Sequence, residues 1–318
     1  MNITDTTTVT SGVVESYKRI AHMRGTPYLV HGLWGQLPQA KSLPGKHGRQ
    51  AHFRMYDELT GGGIIPEGVT PQADTPQHTD VTSTVYDIGD HIIYSDVVDY
   101  SNADPLLVEF SEMLGERVYE LLDSFIRDNI SGGTSVYHAN AVATRLLTAD
   151  GPSTSDLDAV KTLLKTNKAR FIKKMINATT GISTVPIRSC FMGICHTDKE
   201  DAFEALTGFI PVEKYAAQQN THESEIGSYK HIRFVGTQNA KVFEEEGAAG
   251  IDVYSTLIFG SDAYGVLPVE GRSLQTIIKA LGSSGVEDPY NQRGSIALKK
   301  TMTALIIKQN WIIRYEHA

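Results

Sequence analysis

Between Glu225 and Lys300 the chain is a succession of short extended segments closed by glycine-marked turns, and this stretch limits what the rest can fold into. The succession runs Glu225-Ile-Gly-Ser-Tyr-Lys-His-Ile-Arg-Phe-Val, Asn239-Ala-Lys-Val-Phe and Ile251-Asp-Val-Tyr-Ser-Thr-Leu-Ile-Phe-Gly-Ser-Asp-Ala-Tyr-Gly, then Leu281-Gly-Ser-Ser-Gly and Asp288-Pro-Tyr-Asn-Gln-Arg-Gly. Apolar, β-branched and aromatic runs bounded by Gly, Asn and Asp are strand signals. None of them carries a nucleophile, metal or phosphate-loop motif, so the stretch predicts architecture and contact before chemistry.

At 318 residues the chain can form one large domain or two average ones, with a core that needs no disulfide or metal staple. Charged residues make up 21% and hydrophobic ones 41%, and no run approaches the roughly 18 apolar residues of a membrane span. A membrane role is therefore not expected. Met1 to Thr10 is polar and Thr-rich, with neither the basic nor the apolar region of a secretory signal, and Cys190 and Cys195 suit a reducing compartment. Both point to the cytoplasm. A formal net charge of -8 argues against a dedicated nucleic-acid binder. One run departs from that balance: Lys161, Lys165, Lys168, Arg170, Lys173 and Lys174, several of which helical spacing would place on one face. Such a face is either a solvated surface or a weak DNA contact.

Upstream, a helical signal at Val13 to Met23 gives way to a stretch broken by Pro27, Gly32, Gly35, Pro38, Pro44 and Gly45. Tyr28, Leu29, Val30, Leu33 and Trp34 must bury themselves against something else, either their own domain's core or a neighbouring subunit. From Gln50 to Tyr56 the pattern alternates, with Ala51, Phe53 and Met55 on one face, and a second extended run covers Val81 to Tyr94. The connection between them carries Gly61-Gly62-Gly63, Pro66, Pro71 and Pro76, too long for an ordinary loop. A two-stranded excursion fits, marginal in water until another subunit covers it. Asp104-Pro105 is a helix start. Leu107, Phe110, Leu114, Val118, Leu121 and Phe125 then recur at three and four until Gly132-Gly133, a rod of about 40 Å at ~1.5 Å per residue. Further helices are expected to open at Ser155 and at Thr197, with Asp158 and Glu200 three residues on. Ile296, Leu298, Met302, Ala304 and Ile306, then a bend near Gln309-Asn310, then Trp311, Ile313 and Tyr315, predict apolar C-terminal strands beside the long helix.

The one candidate for chemistry is Cys190-Phe-Met-Gly-Ile-Cys195-His196, whose spacing matches neither a haem attachment site, a redox pair nor a structural zinc site. Alternation of Cys190, Met192 and Ile194 against Phe191, Gly193 and Cys195 predicts a buried strand instead. The eleven histidines form no metal-binding pair. Gly61-Gly62-Gly63 and Leu281-Gly-Ser-Ser-Gly lack phosphate-loop and nucleophile-elbow contexts, and Glu244-Glu245-Glu246 reads as solvated charge in a loop.

Taken in order, the segments from Glu225 onward, together with Glu67-Gly-Val-Thr-Pro, Tyr86-Asp-Ile-Gly-Asp-His-Ile-Ile-Tyr-Ser-Asp and the helix after Asp104, resemble the major capsid proteins of tailed double-stranded-DNA phages. The likeness is to the short-tailed phages in particular and spans most of residues 50 to 318. It implies an α+β capsid fold with an N-terminal arm (1–48), an extended loop (49–97), a peripheral domain with a spine helix (98–150), an axial domain (151–290) and C-terminal strands returning to the peripheral domain (291–318). It further implies self-assembly as pentamers and hexamers into an icosahedral shell around the genome, built in the host cytoplasm. A scaffolding protein, a portal and a decoration protein would be partners, with no cofactor, metal or enzymatic activity. Tyr28, Trp34, Phe53 and Met55 are then expected as subunit-interface anchors, and Lys165, Lys168 and Lys173 as DNA-facing. A cellular nanocompartment shell of the same fold and a soluble oligomeric enzyme with a non-motif active site remain open alternatives.

Overall fold

The computed structural model describes residues 18–23, 29–35, 48–56, 59, 64, 67–68, 73–101, 106–172, 189–215, 224–283 and 288–318. Tyr28, the Asp104-Pro105 cap, and Lys173 and Lys174 lie outside them. Residues 18–23 are helical (α1). β1 (Gln50–Tyr56) and β2 (His78–Thr84) follow, then β3 (Tyr86–Ser95), which runs directly into the short α2 (Asp96–Ser101). The long α3 (Leu106–Ser131) has the 26 residues its periodicity predicts. After it come β4 (Val136–His138), α4 (Thr154–Thr166), β5 (Phe191–His196), α5 (Glu200–Glu204), β6 (Phe209–Pro211), β7 (Glu225–Tyr229) and β8 (Ile232–Thr237). The chain closes with β9 (Val242–Phe243), β10 (Val253–Phe259), β11 (Tyr264–Pro268), β12 (Gln275–Lys279), β13 (Arg293–Ile306) and β14 (Ile312–His317).

These strands sort into three sheets. The largest has eight strands in the order β4-β14-β10-β5-β8-β7-β6, with β9 paired to β10. Its two parallel contacts are β4 with β14 and β5 with β8. Alternation along each strand feeds two separate cores. Along β5 and the residue just before it, Cys190, Met192 and Ile194 join one apolar cluster while Phe191 and Cys195 join the other, as the sequence alternation predicts. On β10, Leu257 and Phe259 face the first cluster and Ile258 the second. α4 and α5 cover the second face with Leu157, Val160, Leu164 and Phe203, and each such fully buried side chain contributes about 1.5–3 kcal/mol.

The first cluster continues into α3 and a four-stranded sheet. There the fourteen-residue β13 is paired along one edge by β3 and along the other by β12 and β11 in succession. Leu114, Val118, Leu122, Ile126 and Ile130 of α3 pack against Ile296, Leu298, Met302 and Ala304 of β13. The buried stripe is thus rotated from the expected one: Leu121 and Phe125 sit at its margin and are only partly covered. α1 crosses α3 at Gly115, where an added Cβ would lie 2.5 Å from the Ala21 carbonyl oxygen. A glycine in mid-helix costs about 1 kcal/mol relative to alanine, and here the close crossing requires it. The C-terminal strands divide. β13 lies beside the long helix as expected, whereas β14, beyond a 3₁₀ turn at Gln309–Trp311, enters the large sheet between β4 and β10.

Two helix starts differ from expectation. α4 begins one residue earlier than Ser155, and its cap is Ser153, whose hydroxyl accepts the Asp156 N–H at 3.2 Å. At the other, Thr197–Lys199 form a 3₁₀ turn before α5, capped by His196, whose Nδ1 accepts the Asp198 N–H at 3.1 Å. In both, an earlier side chain meets the turn's N–H groups better than the hydroxyl at the expected spacing.

Candidate functional site

β1 and β2 form an antiparallel hairpin that belongs to neither larger sheet, with Phe53 opposite Val81 and Met55 opposite Thr79. Because directly opposed residues share a face, Ala51, Phe53, Met55, Val81 and Ser83 look one way. His52, Arg54, Tyr56, His78 and Asp80 look into solvent. On the inner face only Ala51 is buried; Phe53 and Met55 are half-covered. Met55, Thr79 and Val81 form one wall of a groove of about 530 Å³, whose other walls are Asn167-Lys168 and the run from Ile306 to Trp311. The apolar side of the hairpin therefore leans over its own chain without closing on it.

The hairpin is fixed at its base. Val85 is buried and donates its N–H to the Arg49 carbonyl at 2.8 Å. The Thr303 hydroxyl, 2.6 Å from that of Ser83, donates to the Thr84 carbonyl at 2.8 Å. Asp87 accepts from the Thr301 hydroxyl and pairs with Lys299 at 3.0 Å, contacts that hold its carboxyl below the usual aspartate range, Thr301 contributing most.

Trp34 stands elsewhere. Residues 29–35 cross the first core, with Val30 and His31 buried and Leu29 and Trp34 packed against it. The segment is pinned by a contact that apolar periodicity could not reveal: buried Asp123 of α3 accepts the His31 N–H at 2.7 Å and Asn239 Nδ2 at 3.0 Å, and lies 2.7 Å from His31 Nδ1. The Tyr264 hydroxyl donates to the His31 carbonyl at 2.6 Å. Leu29, Val30 and Trp34 are thus covered by their own chain, the first of the two expected possibilities, while Leu33 stays exposed.

The basic run is not one face either. α4 stops at Thr166, Lys168 has a positive φ of 53°, and Arg170 is in an extended bridge with Ser261. Lys165 projects from the helix and Lys168 lies beyond its end, both exposed, while Lys161 is paired with Asp158 at 2.6 Å.

Cys195 and His196 are not brought together for chemistry. Cys195 is buried in the second core and directs its thiol to the Val235 carbonyl, while His196, next along the strand, faces the other way toward Asp198 and Tyr254. Burial pushes the Cys190 thiol up to about 11 and Cys195 higher still, which suppresses the nucleophilic thiolate. Buried charges elsewhere are paired: Glu225 with Arg233 on the adjacent strand, and Glu316 with Arg145 at 2.7 Å and Arg314 at 2.7 Å. No group of three or more metal-ligating side chains occurs among the described residues, and no helix among them is long and apolar enough to cross a membrane.

No protein-family model matches the chain. Among solved structures, the capsid of Ralstonia phage GP4 superposes with a TM-score of 0.68 over 88% of this chain and 85% of that one, at 12% identity. The phage capsid fold is the fold of this chain. The head structure of Helicobacter pylori bacteriophage KHP40 agrees with a TM-score of 0.60 at 9% identity, covering 85% of this chain and 84% of that one. A major capsid protein of Pseudomonas phage KPP21 is 23% identical over 223 residues, 61% of this chain and 56% of that relative. The match thus spans little more than half of that protein's length. Among the described residues, the β1–β2 hairpin is an element whose apolar face its own chain leaves half-covered.

Proposed function

We propose that this chain is the shell-forming subunit of a phage head, assembling as pentamers and hexamers into an icosahedral capsid around double-stranded DNA, with a structural role and no enzymatic one. The observation that carries this reading is the agreement of fold along 88% of the chain with a phage capsid. The half-covered hairpin supports it, because two strands alone are marginal and a neighbouring copy would supply the missing cover. In this scheme residues 1–48 serve as the arm, 49–97 as the extended loop, 98–150 as the peripheral domain, 151–290 as the axial domain and 291–318 as returning strands. Phe53 and Met55 are the interface anchors of choice. Trp34, which packs on its own core, contributes to folding first, and Tyr28 keeps its expected interface role. Lys165 and Lys173 would make weak, sequence-independent contact with DNA, while Lys168, in the groove wall, is better placed for a neighbouring subunit. A scaffolding protein and a portal would assist assembly in the host cytoplasm, and a decoration protein would bind the finished shell. Negative-stain microscopy of the protein, expressed with and without its scaffolding partner, tests the proposal: closed shells, tubes or hexameric rings are expected, and a persistent small oligomer in both preparations overturns it.

A further inference from the structure

We propose that copies of this chain associate end to end through the large sheet, the acidic turn at one end of β10 in one copy seating on the basic groove beside Trp311 at the opposite end of β10 in the next. The proposal rests on the shell-subunit reading and specifies which surfaces meet.

At the Val253 end of β10, Glu244, Glu245 and Asp252 are exposed in a tight turn. Glu245 has a φ of 54° and donates its N–H to Asp252 Oδ1 at 2.8 Å, so Asp252 closes the turn while Glu244 and Glu245 stay exposed. Glu246 is answered within the chain by Arg145, which leaves Glu244 and Glu245 as the projecting charges. Exposed Asp198 adds to this end, accepting from the Tyr254 hydroxyl at 3.4 Å. Of the cations nearby, Lys241 pairs with Asp128 at 3.2 Å, while Lys199, 4.4 Å from the Tyr254 ring centroid, is outnumbered by these carboxylates.

The Phe259 end is of opposite sign. Gly260 donates its N–H to the Trp311 carbonyl at 3.0 Å and Ser261 donates to the Arg170 carbonyl at 2.8 Å, which gathers the residues after α4 and before β14 at this end. The Trp311 ring, its N–H donated to the Asn167 carbonyl at 3.0 Å, has Lys308 Nζ 4.1 Å and the Arg170 guanidinium 5.6 Å from its centroid. Neither cation meets a carboxylate within 4.0 Å among the described residues. Nearby Asp158 is taken by Lys161 and Lys230, and Asp262 accepts from the Ser261 hydroxyl at 3.2 Å. Lys308 and Trp311 open onto the groove of about 530 Å³ described above.

Seven residues of strand set the two ends about 23 Å apart at ~3.3 Å per residue. A two-fold contact at either end would bring like charges together. Joining unlike ends gives a head-to-tail contact, the kind that closes into rings, and opposite potentials both steer the encounter and fix its register.

The test reverses each charge pair and then both. Glu244→Lys with Glu245→Lys, and separately Arg170→Glu with Lys308→Glu, should each lower the yield of sedimenting shells by about tenfold or more, and the four substitutions together should restore it to within about threefold. Circular dichroism and the melting temperature of the dispersed subunit show that each variant is folded. Should the Arg170 and Lys308 reversal disturb folding through Trp311, Lys308→Gln beside Glu244→Gln carries the test, each expected to reduce yield in low salt. Wild-type yield from both reversals, or folded fourfold variants that fail to recover, would overturn the proposal while leaving the shell reading intact. No shells from the unmodified chain with its scaffolding partner would overturn the shell reading first, and this contact with it.

Discussion

β10 and β1 are both seven-residue strands, yet six of the seven residues of β10 are buried and only one of β1. The difference lies in their neighbours. β10 is paired on one edge by β14 and on the other by β5 and β9, with an apolar cluster on each face. β1 has one partner strand and a groove beneath it. A strand with both edges and both faces satisfied is stable within its own chain. One with a single partner needs something further. The first kind is satisfied by its own chain; the second leaves apolar surface that, on the proposed reading, a neighbouring copy covers.

Substitutions in the two regions should separate folding from association, with the largest effect on the isolated subunit in the large sheet. Phe234→Ala removes a fully buried ring between Phe203 and Phe209 and should lower unfolding free energy by about 3–5 kcal/mol in a denaturant titration. Trp34→Ala, at a half-buried site on the first core, should cost roughly 2 kcal/mol, so any assembly defect would come with lost stability; an assembly defect at unchanged stability would instead make Trp34 an interface residue.

Acid should act on the large sheet. Burial draws His317 down to about 3 from 6.5, so the unfolded chain binds a proton that the folded one refuses. Its contribution is full above pH 6.5 and is lost as pH falls below that value. Glu316 adds to this at lower pH. Burial opposes its charge, but hydrogen bonds from Arg145 and the charges of Arg314, Arg145 and His138 outweigh it and hold the carboxyl below its usual value, so its contribution is lost on further acidification. Melting temperature should fall from about pH 6.5 downward, and His317→Gln should flatten the upper part of that slope; an unchanged slope would place the acid sensitivity elsewhere.

Smaller effects on the subunit belong to the hairpin. Phe53→Asp should change unfolding free energy by within about 1 kcal/mol while abolishing shells under the microscope; normal shell yield would remove Phe53 from the interface. Arg54→Ala, which breaks an ion pair to Asp80 with both side chains more than half exposed, should leave melting and assembly unchanged.

Most of this contrast was legible in the chain wherever periodicity was strong. The two-sided burial of β5, the 26-residue α3, the one-sided β1 and the bend before Trp311 all follow from spacings of two or of three and four. Local chemistry was legible only in part. Ser153 and His196 cap where Ser155 and Thr197 were expected, because several adjacent polar residues could serve and backbone geometry chose among them. The Asp123–His31 pin and the sorting of charge to opposite ends of β10 had no sequence signal, since each joins residues more than fifty positions apart. The run from Lys161 to Arg170 misled for a related reason: regular spacing continued past the point where α4 ended.

Amide hydrogen exchange on dispersed subunits and on assembled particles tests most directly the claim that the hairpin is completed by a neighbour. The account predicts that Gln50–Tyr56 and His78–Thr84 exchange quickly in the subunit and are strongly slowed in the particle, while Val253–Phe259 is protected in both. Equal protection of the hairpin in the two states would contradict it.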